Sequence, residues 1–173
     1  VCAYNEVSNI GNVLLNLLNQ PLFPEQELQE IIVVCSGCTD GTDGIVEKLQ
    51  EKDKRIVLTI QNSRQGKSNA QNVILHKAMG DVVILVSADT FPSFGSISIL
   101  ARAVNGNVGC VGGKMQTVNN CHGIADFASS FTWNLHNRTL QAEDRKSQLG
   151  HLGGDLFAIK RGVINEIPPN IVN

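Results

Sequence analysis

Residues 81–90 read Asp-Val-Val-Ile-Leu-Val-Ser-Ala-Asp-Thr: an unbroken apolar run that stops in a short polar tip carrying the carboxylate of Asp89. Five apolar residues, mostly β-branched and without helical spacing, suit a central strand covered on both faces, as in a parallel sheet. In open α/β sheets, ligands gather outside the carboxyl ends of the strands. Two readings therefore fit Asp89. It either caps the turn before Pro92 or presents an acid to a metal, phosphate or sugar.

The rest of the chain predicts alternating strands and helices. Ile10, Val13, Leu14, Leu17 and Leu18 recur at helical spacing after Ser8 and Asn9, and the pattern stops before Pro21. A buried strand follows over 30–36, a turn over 37–44, and a helix with Ile45, Val46 and Leu49 on one face. Residues 55–60 read as the next strand. A polar loop over 61–67 leads to a helix carrying Ala70, Val73, Ile74 and Ala78, which Gly80 ends. Residues 108–117 read as a strand weakened by Gly112 and Gly113. Ile124, Phe127, Ala128 and Phe131 mark a helix reaching Arg138 or beyond, with Trp133 expected in the core beside Phe127, Phe131 and Leu135 or stacked on a sugar. Leu156 to Lys160 read as a last strand. Such alternation predicts a mainly parallel sheet with right-handed crossovers.

A chain of 173 residues with 42% hydrophobic and 17% charged residues supports one core. Its formal net charge of -2 and its interrupted basic cluster over 48–55 give no footprint for nucleic acid. No window is long and apolar enough for a membrane span, and the first residues lack the regions of a signal peptide. Five cysteines, an odd number, fit a reducing cytoplasm. Cys35 and Cys38 have the spacing of a redox or zinc pair, but no second such pair occurs, and His122 beside Cys121 is the only further candidate. Both ends read as cut. The first strand would start before Val1, and residues 168–173 stop in a loop.

Several nucleotide motifs fail on spacing. A P-loop requires glycine five positions before Gly66, where Gln61 stands. Gly37, Gly41 and Gly44 depart from the dinucleotide fingerprint, and no nucleophile elbow of hydrolase type is present. Four polar tips remain, each after a real or inferred strand: residues 3–6, 36–40, 64–67 and 87–90. In a parallel sheet these tips share one edge, so a carboxylate, a lysine, hydroxyls and backbone amides converge on one crevice. That set suits a nucleoside diphosphate with a magnesium or manganese ion on oxygen ligands.

The ordered series Ala3-Tyr-Asn-Glu6, Thr39-Asp-Gly-Thr42, Gly66-Lys67 with Ala70 and Asn72, Gly80-Asp81 leading to Ala88-Asp89, and Gly153-Gly154-Asp155 with Lys160-Arg161 resembles the family 2 glycosyltransferases. The resemblance covers essentially the whole chain. It implies the GT-A fold, a Rossmann-like three-layer α/β/α arrangement, here one nucleotide-sugar-binding domain over 1–173, incomplete at both ends. It implies an inverting transfer from a nucleotide-diphosphate sugar to a hydroxyl acceptor, whether saccharide, lipid-linked or protein, helped by a divalent cation (Mg2+ or Mn2+). By this resemblance Ala3, Tyr4, Asn5, Glu6, Ser36, Lys67, Ala88 and Asp89 are expected to hold the donor nucleotide. Asp89 is expected to bind the metal, and Gly153, Gly154 and Asp155 to lie beside the donor sugar and acceptor.

Three departures qualify that expectation. Where the family carries an acid pair before its Thr-Asp-Gly-Thr segment, this chain has Cys35 and Ser36, so the donor base is open. Ser87 replaces the first acid of the DxD motif. The general base is expected beyond Asn173, with Asp155 the weaker candidate, so weak donor binding and little turnover are expected. A cytoplasmic location follows from the composition, with membrane attachment left to segments outside this stretch. Competing readings are a non-catalytic nucleotide-binding or scaffold domain of the same fold and a sugar-phosphate nucleotidyltransferase, whose glycine- and arginine-rich phosphate loop is missing.

Overall fold

The computed structural model describes residues 1–117, 123–146 and 150–166. The elements alternate as the apolar pattern predicts: β1 (Cys2–Ala3), α1 (Ile10–Leu18), β2 (Ile31–Ser36), α2 (Thr42–Lys52), β3 (Ile56–Gln61), α3 (Lys67–Lys77), β4 (Val82–Val86), α4 (Ser96–Ala103), β5 (Cys110–Gly112), α5 (Ile124–Arg145), β6 (Leu156–Lys160) and α6 (Arg161–Glu166). Strands β1, β2 and β3 are parallel neighbours, with β2 in the middle. A parallel bridge from Cys2 to Ser87, with the Ala88 amide donating to the Cys2 carbonyl at 3.1 Å, joins β1 to the end of β4. Beyond it β6 lies between β4 and β5 and runs antiparallel to both. The strand order is therefore β3-β2-β1-β4-β6-β5, and β6 alone is reversed.

Side-chain alternation along β2 explains why both faces are covered. Ile31, Val33 and Cys35 point into a core with α1, α2 and α4, while Ile32 and Val34 join Ala70 and Ile74 of α3 and partly buried residues of α6. All six residues of β2 are buried. This gives the three layers expected from the sequence, because a strand apolar at every position is stable only between two helical layers.

Some boundaries differ from the sequence reading. The strand expected over 108–117 shrinks to three residues, although the Gly113 amide still donates to the Leu156 carbonyl at 2.8 Å. A Cβ at Gly113 would lie 2.8 Å from Leu156 Cδ2, so the side chain of β6 fills the space a larger residue would take. Helices α4 and α6 are additions. Helix α5 continues through the polar residues 139–145. Its apolar residues are not core: Phe127, Phe131 and Leu135 are 73%, 60% and 57% exposed. The expected packing of Trp133 among them is thus corrected, because α5 turns its polar side to the protein. Cys121, His122 and residues 168–173 lie outside the described residues. No helix among the described residues is long and apolar enough to cross a membrane.

Candidate active site

Because β1 to β4 are parallel, their carboxyl ends share one edge, and the reversed β6 begins at that same edge. This topology brings the polar tips together. A cleft of about 260 Å³ is lined by Ala3, Tyr4 and Glu6 from the first tip, Ser36 from the second, Lys67 from the third, Ala88 and Asp89 from the fourth and Asp155 at the start of β6. A larger cavity of about 460 Å³ lies at the opposite, amino end of the strands and has no lysine or arginine in its wall. The acids Glu25, Glu27, Glu30 and Asp81 stand in that wall, so an anionic ligand would meet an unfavourable field.

The first tip is held by the second. Asn5, in the left-handed region at φ 53°, accepts the Thr39 amide on its side-chain oxygen at 2.9 Å. The Glu6 amide donates to Thr42 Oγ1 at 2.8 Å, and Val7 donates to Asp40 Oδ2 at 3.0 Å. Asp40 also accepts Thr42 Oγ1 at 2.6 Å and the Thr42 amide at 3.0 Å. The Thr42 hydroxyl hydrogen bond, helped by the backbone amides of Val7, Thr42 and Asp40 itself, holds the Asp40 carboxyl below its ordinary pKa against the opposing effect of desolvation. Asn5 therefore shapes the loop rather than lining the cleft. Glu6 lines it and at the same time accepts Asn9 Nδ2 at 2.8 Å at the start of α1.

One wall comes from a residue that sequence reasoning placed in a tip without giving it a role. The Arg64 guanidinium lies 4.1 Å over the Tyr4 ring, a cation–π stack that makes a flat surface beside Ser36. Ser36 Oγ accepts the Gln65 amide at 2.9 Å and keeps its own hydrogen free to donate. Gly37, at φ 67°, makes this approach possible: a Cβ there would stand 2.3 Å from the Arg64 nitrogen. Below this wall Cys35 is fully buried, and Cys38 Sγ donates to the Ala3 carbonyl at 3.6 Å. Burial, with Cys38 close by, pushes the Cys35 thiol up to about 12. It is an inert core thiol.

The other wall is charged. Lys67 Nζ lies 2.6 Å from Asp155 Oδ1, and Ser87 Oγ donates to the same oxygen at 3.0 Å. Burial raises the Asp155 pKa, but the Lys67 hydrogen bond and charge and the Ser87 hydroxyl outweigh it and leave the carboxyl below its ordinary value. Asp89 is exposed, and no hydrogen bond or ion pair among the described residues engages its side chain. Gly154 borders the cleft, since a Cβ there would lie 3.9 Å from Lys67 Nζ. Gly153 sits one step away, where a Cβ would be 3.9 Å from His136 Nε2. His136 in turn packs edge-on against half-buried Trp133 with centroids 5.6 Å apart. Among the residues expected at the site, Asn5 and Gly153 thus support the lining rather than form it.

The family model described as glycosyl transferase family 2 matches residues 1–168. The chain belongs to glycosyltransferase family 2. An uncharacterized glycosyltransferase of Haemophilus influenzae is 32% identical over 88 residues, 51% of this chain and 34% of that protein. The poly-beta-1,6-N-acetyl-D-glucosamine synthase of Staphylococcus aureus is 33% identical over 90 residues, 52% of this chain and 21% of that protein. The chain therefore spans only a minor part of the curated relatives it matches.

The fold matches that of solved GT-A glycosyltransferases. A mannosyltransferase of Pyrobaculum calidifontis, solved with GDP-Man and Mn2+, superposes at a TM-score of 0.70 over 98% of this chain and 46% of that one, with 23% identity. Glucosyl-3-phosphoglycerate synthase of Mycobacterium tuberculosis, solved with Mn2+, UDP-Glc and phosphoglyceric acid, gives 0.62 over 96% of this chain and 57% of that one, with 20% identity. At these identities the likeness speaks for the fold. This family 2 member adopts the three-layer GT-A arrangement expected from its sequence.

Proposed function

We propose that this chain forms the donor site of an inverting glycosyltransferase that moves a sugar from a nucleoside-diphosphate sugar to a hydroxyl acceptor. The observation that carries the reading is the convergence of Lys67, Asp89 and Asp155 on one cleft whose far wall is the Tyr4–Arg64 stack. Flat aromatic and guanidinium surface suits a nucleobase, and the charged wall suits a diphosphate. Tyr4, Arg64 and Ser36 orient the base. Lys67 meets the phosphates. Ser36 offers a hydrogen where the family carries an acid, and Arg64 lines the same cleft, which favours a base edge rich in acceptors.

A divalent cation fits this wall, since the unengaged Asp89 carboxylate offers the hard oxygen that Mg2+ and Mn2+ prefer. When bound, such an ion would neutralise charge on the departing diphosphate. In the transfer itself the acceptor oxygen forms a bond to the anomeric carbon as the bond from that carbon to the diphosphate oxygen breaks. The acceptor proton passes to a general base. Asp155 is poorly suited to that task, because Lys67 and Ser87 hold its carboxyl below the ordinary pKa and make it a weak proton acceptor. The base is assigned outside the described residues, and Gly153 and Gly154 border the acceptor. Trp133, beside His136 and Gly153, is available to stack on a sugar.

Thermal shift with UDP, GDP, CDP and ADP, each with Mn2+ or with EDTA, tests the reading. A diphosphate at a hundred times its Kd stabilises by about 2.7 kcal/mol, which raises Tm by several degrees in a domain of this size. The Lys67→Ala variant should lose that rise. Absence of any rise with all four nucleotides contradicts the donor-site reading.

A further inference from the structure

The antiparallel register of β4 and β6 sets Val86 opposite Leu156, so the next pair outward is Ser87 opposite Asp155. The ladder continues into that pair, since the Ser87 amide donates to the Asp155 carbonyl at 2.9 Å. Opposed residues of such a pair have Cβ atoms about 4.5–5.5 Å apart and project from the same face. Here both project into the cleft, and their side chains meet: Ser87 Oγ lies 3.0 Å from Asp155 Oδ1. A carboxylate on either residue therefore reaches the same part of the cleft wall.

Acids at both positions would place like charges directly across the ladder, which is destabilising. This chain has one. Asp89 stands two residues beyond Ser87 and lines the same cleft. Taking the cleft as a nucleoside-diphosphate site, we propose that Asp155 is the second carboxylate of its divalent-cation site, displaced across the β4–β6 pair from position 87, and that it acts together with Asp89. The resulting donor set is two carboxylates and the diphosphate oxygens, with water completing the octahedron that Mg2+ and Mn2+ favour.

Lys67 explains how Asp155 is kept in the absence of the ion. Its ammonium, 2.6 Å from Asp155 Oδ1, is the counter-charge in that place. An arriving diphosphate offers Lys67 a stronger anion and leaves the Asp155 oxygen to the cation. The step is an exchange of ionic partners in which no proton or electron moves. Ser87 then keeps its hydroxyl on the carboxylate and fixes its orientation, as partners of metal-bound carboxylates commonly do. The substitution of the DxD acid by serine is thus compensated, and metal use by this chain need not be weakened by it.

The test compares the 173-residue protein with Asp155→Asn, Ser87→Asp and the exchange variant Ser87→Asp/Asp155→Ser. Mn2+ binding in the presence of UDP or GDP is read from the electron paramagnetic resonance signal of the free ion, and nucleotide binding in EDTA from titration calorimetry. Asp155→Asn should weaken Mn2+ by about tenfold or more, since even loss of a residue behind a ligand costs that much. Its nucleotide affinity in EDTA should hold or rise, because Lys67 then has no carboxylate to leave, so the loss is confined to the metal. The exchange variant should recover Mn2+ affinity to within a few-fold of the parent, whereas Ser87→Asp alone should lower Tm. Unchanged Mn2+ affinity in Asp155→Asn overturns the proposal, as does a folded exchange variant that fails to recover. Should Asp155→Asn not fold, the exchange variant decides. If neither UDP nor GDP binds the parent protein with or without Mn2+, the donor-site reading itself fails, an outcome distinct from nucleotide binding that ignores Asp155.

Discussion

Helices α1 and α5 carry apolar residues at the same helical spacing and treat them in opposite ways. In α1, Ile10, Val13 and Leu14 have no exposed surface. In α5, Ile124 and Phe127 are 90% and 73% exposed, while Asn137 is buried and donates to the Met115 carbonyl at 2.7 Å. Ser130 on the same side meets the Thr117 hydroxyl at 2.7 Å. Periodicity identifies a helix and its stripe, but what the stripe faces is decided by the rest of the chain. Helix α1 is seated by a sheet face that is apolar at every second residue, whereas α5 is tethered through polar contacts at the rim.

That contrast has measurable consequences. Leu14→Ala should cost about 3 kcal/mol, because it removes a fully buried side chain and leaves a cavity in the core; chemical denaturation should show the loss without a large change in m. Asn137→Ala should cost about 1 kcal/mol by leaving the partly buried Met115 carbonyl without its donor, and would show that the polar side of α5 is its anchoring side. If that loss is absent and α5 apolar variants destabilise instead, the comparison is reversed.

The Lys67–Asp155 pair ties the start of α3 to the start of β6, and its contribution should depend on pH. The folded pKa of Asp155 is lowered, so its stabilisation is present above the ordinary value of 3.8 and disappears as pH falls through the lower folded value. The pair is partly exposed, so the effect should stay below about 1 kcal/mol and shrink with salt. Comparing denaturation midpoints of the parent and Asp155→Asn between pH 7 and pH 3 checks it, with the two curves converging at the acid end. Smallest of all, Phe127→Ser and Phe131→Ser should each change stability by no more than about 0.5 kcal/mol, in spite of the size of the side chains removed.

Much of the cleft is legible in the sequence because its signals are local. The apolar run before Asp89, the helical spacing of Ile10 to Leu18 and the glycines that punctuate the tips each specify an element, and parallel order then places the tips on one edge. What is not legible depends on contacts between distant segments. The pairing of Ser87 with Asp155 follows from the register of an antiparallel strand that returns 68 residues later, and serine alone reads as a lost acid. Arg64 gains its place by stacking on Tyr4 of a different strand tip, which no spacing announces. The exposure of Phe127 and Phe131 runs against the usual burial of aromatic residues, so the expectation of a core failed there. The short helix α4 escapes notice because its eight residues offer barely two turns of pattern.

Crystals of the protein soaked with MnCl2 and a nucleoside diphosphate, measured at the manganese absorption edge, test the central claim most directly. The account predicts one anomalous peak in the cleft within coordination distance of both Asp89 and Asp155, with the diphosphate beside Lys67 and the base against Tyr4 and Arg64. A nucleotide seated outside that cleft, or a manganese peak remote from both carboxylates, would contradict it.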